Sequence, residues 1–138
     1  MKTNKSVILV VEDRENWRET FCGLLEDYGY DVIQATCGEE FRENAEKADV
    51  IMLDISMPMT KNGDEIKTTG LDILIDLQEK FPFHKAIQSP IIRSMWERHN
   101  FIGTKYYDVK VRNGGWCSRN KPNADLLALV EDKLENLE

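Results

Sequence analysis

The sequence predicts an α/β domain: a doubly wound parallel sheet with helices on both faces. Three observations predict it. Val7-Ile8-Leu9-Val10-Val11 and Val50-Ile51-Met52-Leu53 are unbroken aliphatic runs, which read as strands buried on both faces. Segments of helical periodicity follow them, and such alternation implies parallel strands joined by crossover helices. Both runs also end in acid, the first in Glu12-Asp13 and the second in Asp54. Side by side and parallel, the two strands would bring three carboxylates to one cleft at their carboxyl ends, where open α/β sheets bind ligands. Carboxylates that close repel one another unless a cation lies between them. An all-oxygen ligand set suits Mg²⁺, which keeps several waters and leaves room for a phosphate oxygen.

The elements follow in order. Arg14 to Tyr28 reads as a helix, because Trp17, Phe21, Leu24, Leu25 and Tyr28 share one helical face. Gly29 is placed to stop it. Tyr30 to Ala35 reads as the second strand, centred on Val32 and Ile33, and Glu39 to Lys47 as a short charged helix with Phe41 and Ala45 inward. Asp49 to Asp54 is the third strand. Gly70 to Lys80 is helical, with an apolar stripe of Leu71, Leu74, Ile75 and Leu77, and Pro82 lies just beyond. Residues 124 to 137 form a last helix carrying Leu126, Leu127, Val130, Leu134 and Leu137. Thr60 to Thr69 is polar and holds an Asn-Gly turn signal, so it reads as a surface loop. Within 83 to 122, Pro90 to Ser94 and Tyr106 to Val111 are strand-like, and an Asn113-Gly114-Gly115 turn predicts a hairpin onto Trp116 to Arg119.

The composition fits one globular domain over 1–138, with no output domain expected after it. The chain is 41% hydrophobic and 31% charged. The longest apolar run is far shorter than the roughly 20 residues that cross a bilayer, so no membrane insertion is expected. Met1 to Lys5 has no apolar signal region behind it. Cys22, Cys37 and Cys117 have no metal-ligand spacing, and an odd count favours free thiols in a cytoplasmic protein. The formal net charge of −7 argues against direct nucleic-acid binding.

Taken together, Val10-Val11-Glu12-Asp13, Asp54-Ile55-Ser56-Met57-Pro58 and Gly70-Leu71-Asp72-Ile73-Leu74 resemble the receiver domain of bacterial two-component response regulators. The resemblance implies a flavodoxin-like five-stranded sheet of order 2-1-3-4-5. It implies that Asp54 is the phosphoacceptor and that Glu12 and Asp13, with Asp54 and the backbone carbonyl of Ser56, hold Mg²⁺. It implies a histidine kinase or phosphotransfer protein as donor and a downstream protein as partner, with homodimerisation left open. Any catalysis would be self-phosphorylation from a phosphodonor and slow autodephosphorylation.

The family also places a Ser or Thr after strand four and a Lys after strand five against the phosphoryl group. Two registers supply them here. In the first, Pro90 to Ser94 is strand four, Ser94 gives the hydroxyl, Lys121 of Lys121-Pro122 gives the cation, and Ser118 falls at the family's aromatic switch position. In the second, Ser89 and Lys110 take those places, Pro90 to Phe101 becomes a helix, and Tyr107 is the switch aromatic. Each residue has a plain structural reading too. Glu12 and Asp13 also suit the positive N-terminus of the helix beginning at Arg14. Trp17 and Trp96 suit half-buried packing, Trp116 beside its glycines suits an interface, and His84 and His99 read as solvated. Two other functions fit less of the pattern. One is a receiver-shaped docking module that no longer uses phosphate. The other is a small-molecule phosphatase, for which Ser56 stands where a second acid is needed.

Overall fold

The computed structural model describes residues 6–112, 115–118 and 123–135. The chain runs β1 (Val7–Val11), α1 (Glu15–Asp27), β2 (Asp31–Ala35), α2 (Gly38–Asn44) and β3 (Val50–Asp54). A two-residue strand pair follows, β4 (Met57–Pro58) and β5 (Glu65–Ile66), and then α3 (Thr69–Lys80) and the single turn α4 (Lys85–Gln88). The chain ends with β6 (Ile91–Ser94), β7 (Trp116–Ser118) and α5 (Asn123–Glu135). Five strands form one sheet in the order β2-β1-β3-β6-β7, with every pairing parallel. Leaving the small β4–β5 pair aside, this is the expected flavodoxin-like 2-1-3-4-5 order.

Each face of the sheet is covered by its own core. Ile8, Val10, Val50, Met52 and Ile91 meet Phe21, Cys22 and Leu25 of α1 and Leu126, Leu127 and Val130 of α5. Leu9, Val11, Ile51, Leu53 and Ile92 meet Phe41 of α2 and Leu71, Ile73, Leu74 and Leu77 of α3. Alternate residues of each central strand thus enter opposite cores, which is why β1 and β3 are aliphatic throughout. Cys22, Cys37 and Cys117 are buried as thiols, and burial pushes the Cys22 thiol up to about 11.

Gly29 takes a left-handed φ of +91° after α1 and ends it as expected. Tyr28 departs from the expected buried face: it caps the helix and is 57% exposed. Trp17 stacks on Phe21 with ring centres 5.9 Å apart.

The region after α3 corrects several expectations. Tyr106 to Val111 is not a strand. Lys105–Asp108 is a 3₁₀ turn whose carbonyls and successors are satisfied by side chains, with Arg98 donating to Tyr107 and Val109, and Gln78 to Lys110. The sequence alternates, yet β7 occupies the free edge of β6, so the segment has no strand to pair with. Trp116–Ser118 accordingly lies parallel to β6 rather than in a hairpin with 106 to 111. Ile91–Ser94 is a fully buried strand, which excludes a helix over Pro90 to Phe101. Two 3₁₀ turns, Arg98–Phe101 and Lys105–Asp108, stand where the family resemblance implied a helix. Within Thr60 to Thr69, Glu65–Ile66 pairs antiparallel with Met57–Pro58, so the expected loop folds back as a small hairpin.

Candidate functional site

The register of the central strands builds the site. Val10 pairs with Met52 and Val11 with Leu53, so Glu12 and Asp54 continue the two strands side by side. The Glu12 amide donates to the Ala35 carbonyl at 2.9 Å, which keeps the chain extended one residue past β1. Val10 and Met52 face α1 and α5, and by alternation Glu12 and Asp54 do the same. Oxygens of Glu12, Asp13 and Asp54 come within 4.8 Å of one another. Glu12 is 1% exposed and Asp54 2%, with Asp13 half-buried above them.

Two features hold Asp54 in place. The Ser56 amide donates to Asp54 Oδ1 at 3.3 Å. Gly70, at the start of α3, donates its own amide to the Ile55 carbonyl at 2.9 Å. A Cβ on Gly70 would lie 2.8 Å from the Ile55 Cα and 2.9 Å from the Asp54 carbonyl oxygen, so glycine is what lets the helix approach the strand end so closely.

The cluster fits a hard divalent cation. Its donors are all oxygens, and they converge from three residues. The buried Asp13 Oδ1 has no hydrogen-bond partner among the described residues. Burial, a hydrogen bond and the charge of Glu65, and the charge of Asp54 together raise the Asp13 carboxyl to about 6. Such crowding of carboxyls is relieved by a cation or by a proton.

The remaining candidates separate by position. Ser94 ends β6, one residue past the Asp54–Arg93 pairing, and so lies at the acidic end of the sheet. It is 3% exposed, and its Oγ accepts from the Trp96 amide at 2.9 Å. Ser89 and Lys110 are at the other end: Ser89 caps α4 ahead of β6, and Lys110 Nζ donates to Gln88 Oε1 at 3.3 Å. Helix-start logic suggested that pair, but β6 runs its length between them and Asp54. Lys121 lies outside the described residues. Ser118 ends β7 opposite Ser94 and is exposed.

Residues that sequence reasoning missed also gather here. Glu65 reaches Asp13 from the hairpin, and Lys67 places Nζ 3.7 Å from the Trp96 ring centre. Arg93 is 2% exposed beside Asp54; its signal was a lone cation inside an apolar strand run. Beyond Ser94 lies a cleft of about 480 Å³ walled by Trp96, Tyr107, Trp116 and Ser118. Trp116, expected as an interface candidate, is half-buried and also packs internally: its Nε1 donates to the Trp96 carbonyl and its ring lies 5.7 Å from that of Phe101. His84 is also engaged, accepting from the Ile87 amide as the cap of α4. Among the described residues, no helix is long and apolar enough to cross a membrane.

Solved structures share this architecture. The response regulator TrrA of Thermotoga maritima, in complex with Mg²⁺–BeF, is 22% identical over 94% of this chain and 99% of its own, with a TM-score of 0.70. The BeF₃-activated N-terminal receiver domain of Klebsiella pneumoniae RstA is 21% identical over 95% and 100%, also at 0.70. The Francisella response regulator 1452 receiver domain is 18% identical over 97% and 100%, at 0.76. Residues 8–88, more than half of the chain, match the family described as response regulator receiver domain. The strand order, the acidic strand ends and this match lead to one conclusion: the chain belongs to the response regulator receiver domain family.

Proposed function

We propose that this domain takes a phosphoryl group onto Asp54 from the phosphohistidine of a histidine kinase or phosphotransfer protein, and binds a downstream protein differently once it is phosphorylated. The observation that carries this reading is the convergence of Glu12, Asp13 and Asp54 oxygens to within 4.8 Å at the ends of adjacent strands.

In the transfer, an Asp54 carboxylate oxygen attacks phosphorus and forms an O–P bond. The N–P bond to the donor histidine breaks, and its electron pair stays on the imidazole nitrogen. The product is an aspartyl phosphate. Mg²⁺ held by Glu12, Asp13, Asp54 and the Ser56 carbonyl would supply charge neutralisation at the phosphoryl oxygens. The Ser56 amide donates to Asp54 Oδ1 and so helps to orient the carboxylate. Ser94 is assigned the phosphoryl-binding hydroxyl and Lys121 the phosphoryl-binding ammonium. Positioning and electrostatics do nearly all the work in phosphoryl transfer, so this short list suffices.

The test is incubation with Mg²⁺ and acetyl phosphate, followed by intact-mass measurement. One phosphoryl mass is expected on the wild type and none on Asp54→Asn. No adduct at any donor concentration would refute the proposal.

A second reading, a docking module independent of phosphate, draws support from the stretch after β6. There the two 3₁₀ turns leave Met95, Ile102 and Tyr107 exposed at 63%, 64% and 40%. It requires partner binding to be the same in the wild type, phosphorylated or not, and in Asp54→Asn.

A further inference from the structure

Among the described residues the buried charged groups are two anions and one cation: Glu12, Asp54 and Arg93, each 2% exposed or less. A buried guanidinium is costly unless an anion lies against it. Topology makes these three neighbours. Arg93 is the Cα partner of Asp54 on the adjacent strand. Ile91 and Met52 both enter the core beneath α1 and α5, so Arg93 and Asp54 project toward that same face.

The direction of the Arg93 side chain is the decisive point. Its guanidinium carbon lies 3.8 Å from the Phe21 ring centre and 5.4 Å from that of Trp17. Both rings belong to α1, the helix that follows Glu12-Asp13. In the sheet, β3 separates β6 from β1. A side chain rooted on β6 that ends against the first turns of α1 therefore passes over the end of β3, where Asp54 stands. The two stacked rings wall it from water on the far side, and in so dry a site a unit charge acts strongly on its neighbours.

We propose that Arg93 is a built-in counter-ion of the acidic cleft. It offsets the charge of Glu12 and Asp54 while no divalent cation is bound, which keeps the cleft folded. It also opposes the incoming cation, so the domain binds Mg²⁺ more weakly than its three carboxylates alone would. Arg93 is thus a positioning residue acting through Asp54. The proposal rests on the reading of the cleft as a Mg²⁺ site.

The test titrates Mg²⁺ into wild-type, Arg93→Lys and Arg93→Met protein, following tryptophan emission and the thermal midpoint. Arg93→Met is expected to bind Mg²⁺ at least about fivefold more tightly, and its midpoint to rise more on Mg²⁺ addition. Arg93→Lys, which keeps the charge, is expected within about twofold of wild type. Equal affinities in wild type and Arg93→Met would overturn the proposal. A wild type that takes up no Mg²⁺ would instead refute the metal reading. The counter-ion is then judged by a double-mutant cycle in chelator: Asp54→Asn should stabilise Arg93→Met more than it stabilises wild type, and additivity would overturn the proposal. Arg93→Met that folds only with Mg²⁺ or with Asp54→Asn supports it. Arg93→Met that folds under neither condition overturns it, because packing would then outweigh charge.

Discussion

Glu65, on the short strand paired with Met57–Pro58, shares a hydrogen bond with Asp13 of the acidic cluster. Two carboxyl groups can share one only if a proton stays between them. Burial is the larger cause of the raised Asp13 value and Glu65 the next, together holding it at about 6. Because the folded state binds this proton more tightly than the unfolded chain, the associated stability is complete below the ordinary Asp range. It is lost as pH rises through about 6. In metal-free protein followed by carboxyl carbon NMR, Asp13 should titrate near 6, and lower in Glu65→Gln. An Asp13 midpoint unmoved by Glu65→Gln would contradict the contact.

Gly70 sets the distance between α3 and the end of β3. Gly70→Ala is expected to destabilise the fold by about 1–3 kcal/mol, because the added methyl would meet backbone rather than a yielding side chain. Urea unfolding measures this. It should be accompanied by slower labelling of Asp54 from acetyl phosphate, since the strand end must shift.

Ser94 and Ser89 give opposite expectations. Ser94→Ala should slow phosphorylation on the order of tenfold to a hundredfold, as loss of one preorganised donor does. Ser89→Ala, at the far end of β6, should leave the rate unchanged. The reverse pattern would assign the hydroxyl role to Ser89.

Lys67 ties the hairpin to the segment after β6, with Nζ 3.7 Å from the Trp96 ring centre and 5.4 Å from that of Phe101. Lys67→Met should cost about 0.5–1 kcal/mol and change the indole emission. Unchanged emission would mean that the ammonium does not sit over that ring in solution.

Much of this was legible in the sequence because it is local. The aliphatic runs of β1 and β3 declare their own burial, and their acidic ends declare the site. What was not legible depends on pairing at a distance. Tyr106 to Val111 alternates like a strand, and only the placement of β7 against β6 deprives it of an edge. Nothing in the 60–69 segment says that Glu65 folds over Asp13, since that follows from the β4–β5 register. Arg93 was in plain view, but a cation in a strand acquires meaning only when the neighbouring strand puts Asp54 beside it.

The most direct test of the site is fluorine NMR of the protein with Mg²⁺ and beryllofluoride. Bound fluorine resonances should appear only when Mg²⁺ is present and should vanish in Asp54→Asn and Asp13→Asn. Their absence from wild-type protein at saturating Mg²⁺ and beryllofluoride, or their persistence in Asp54→Asn, would contradict an Asp54-centred phosphoacceptor site.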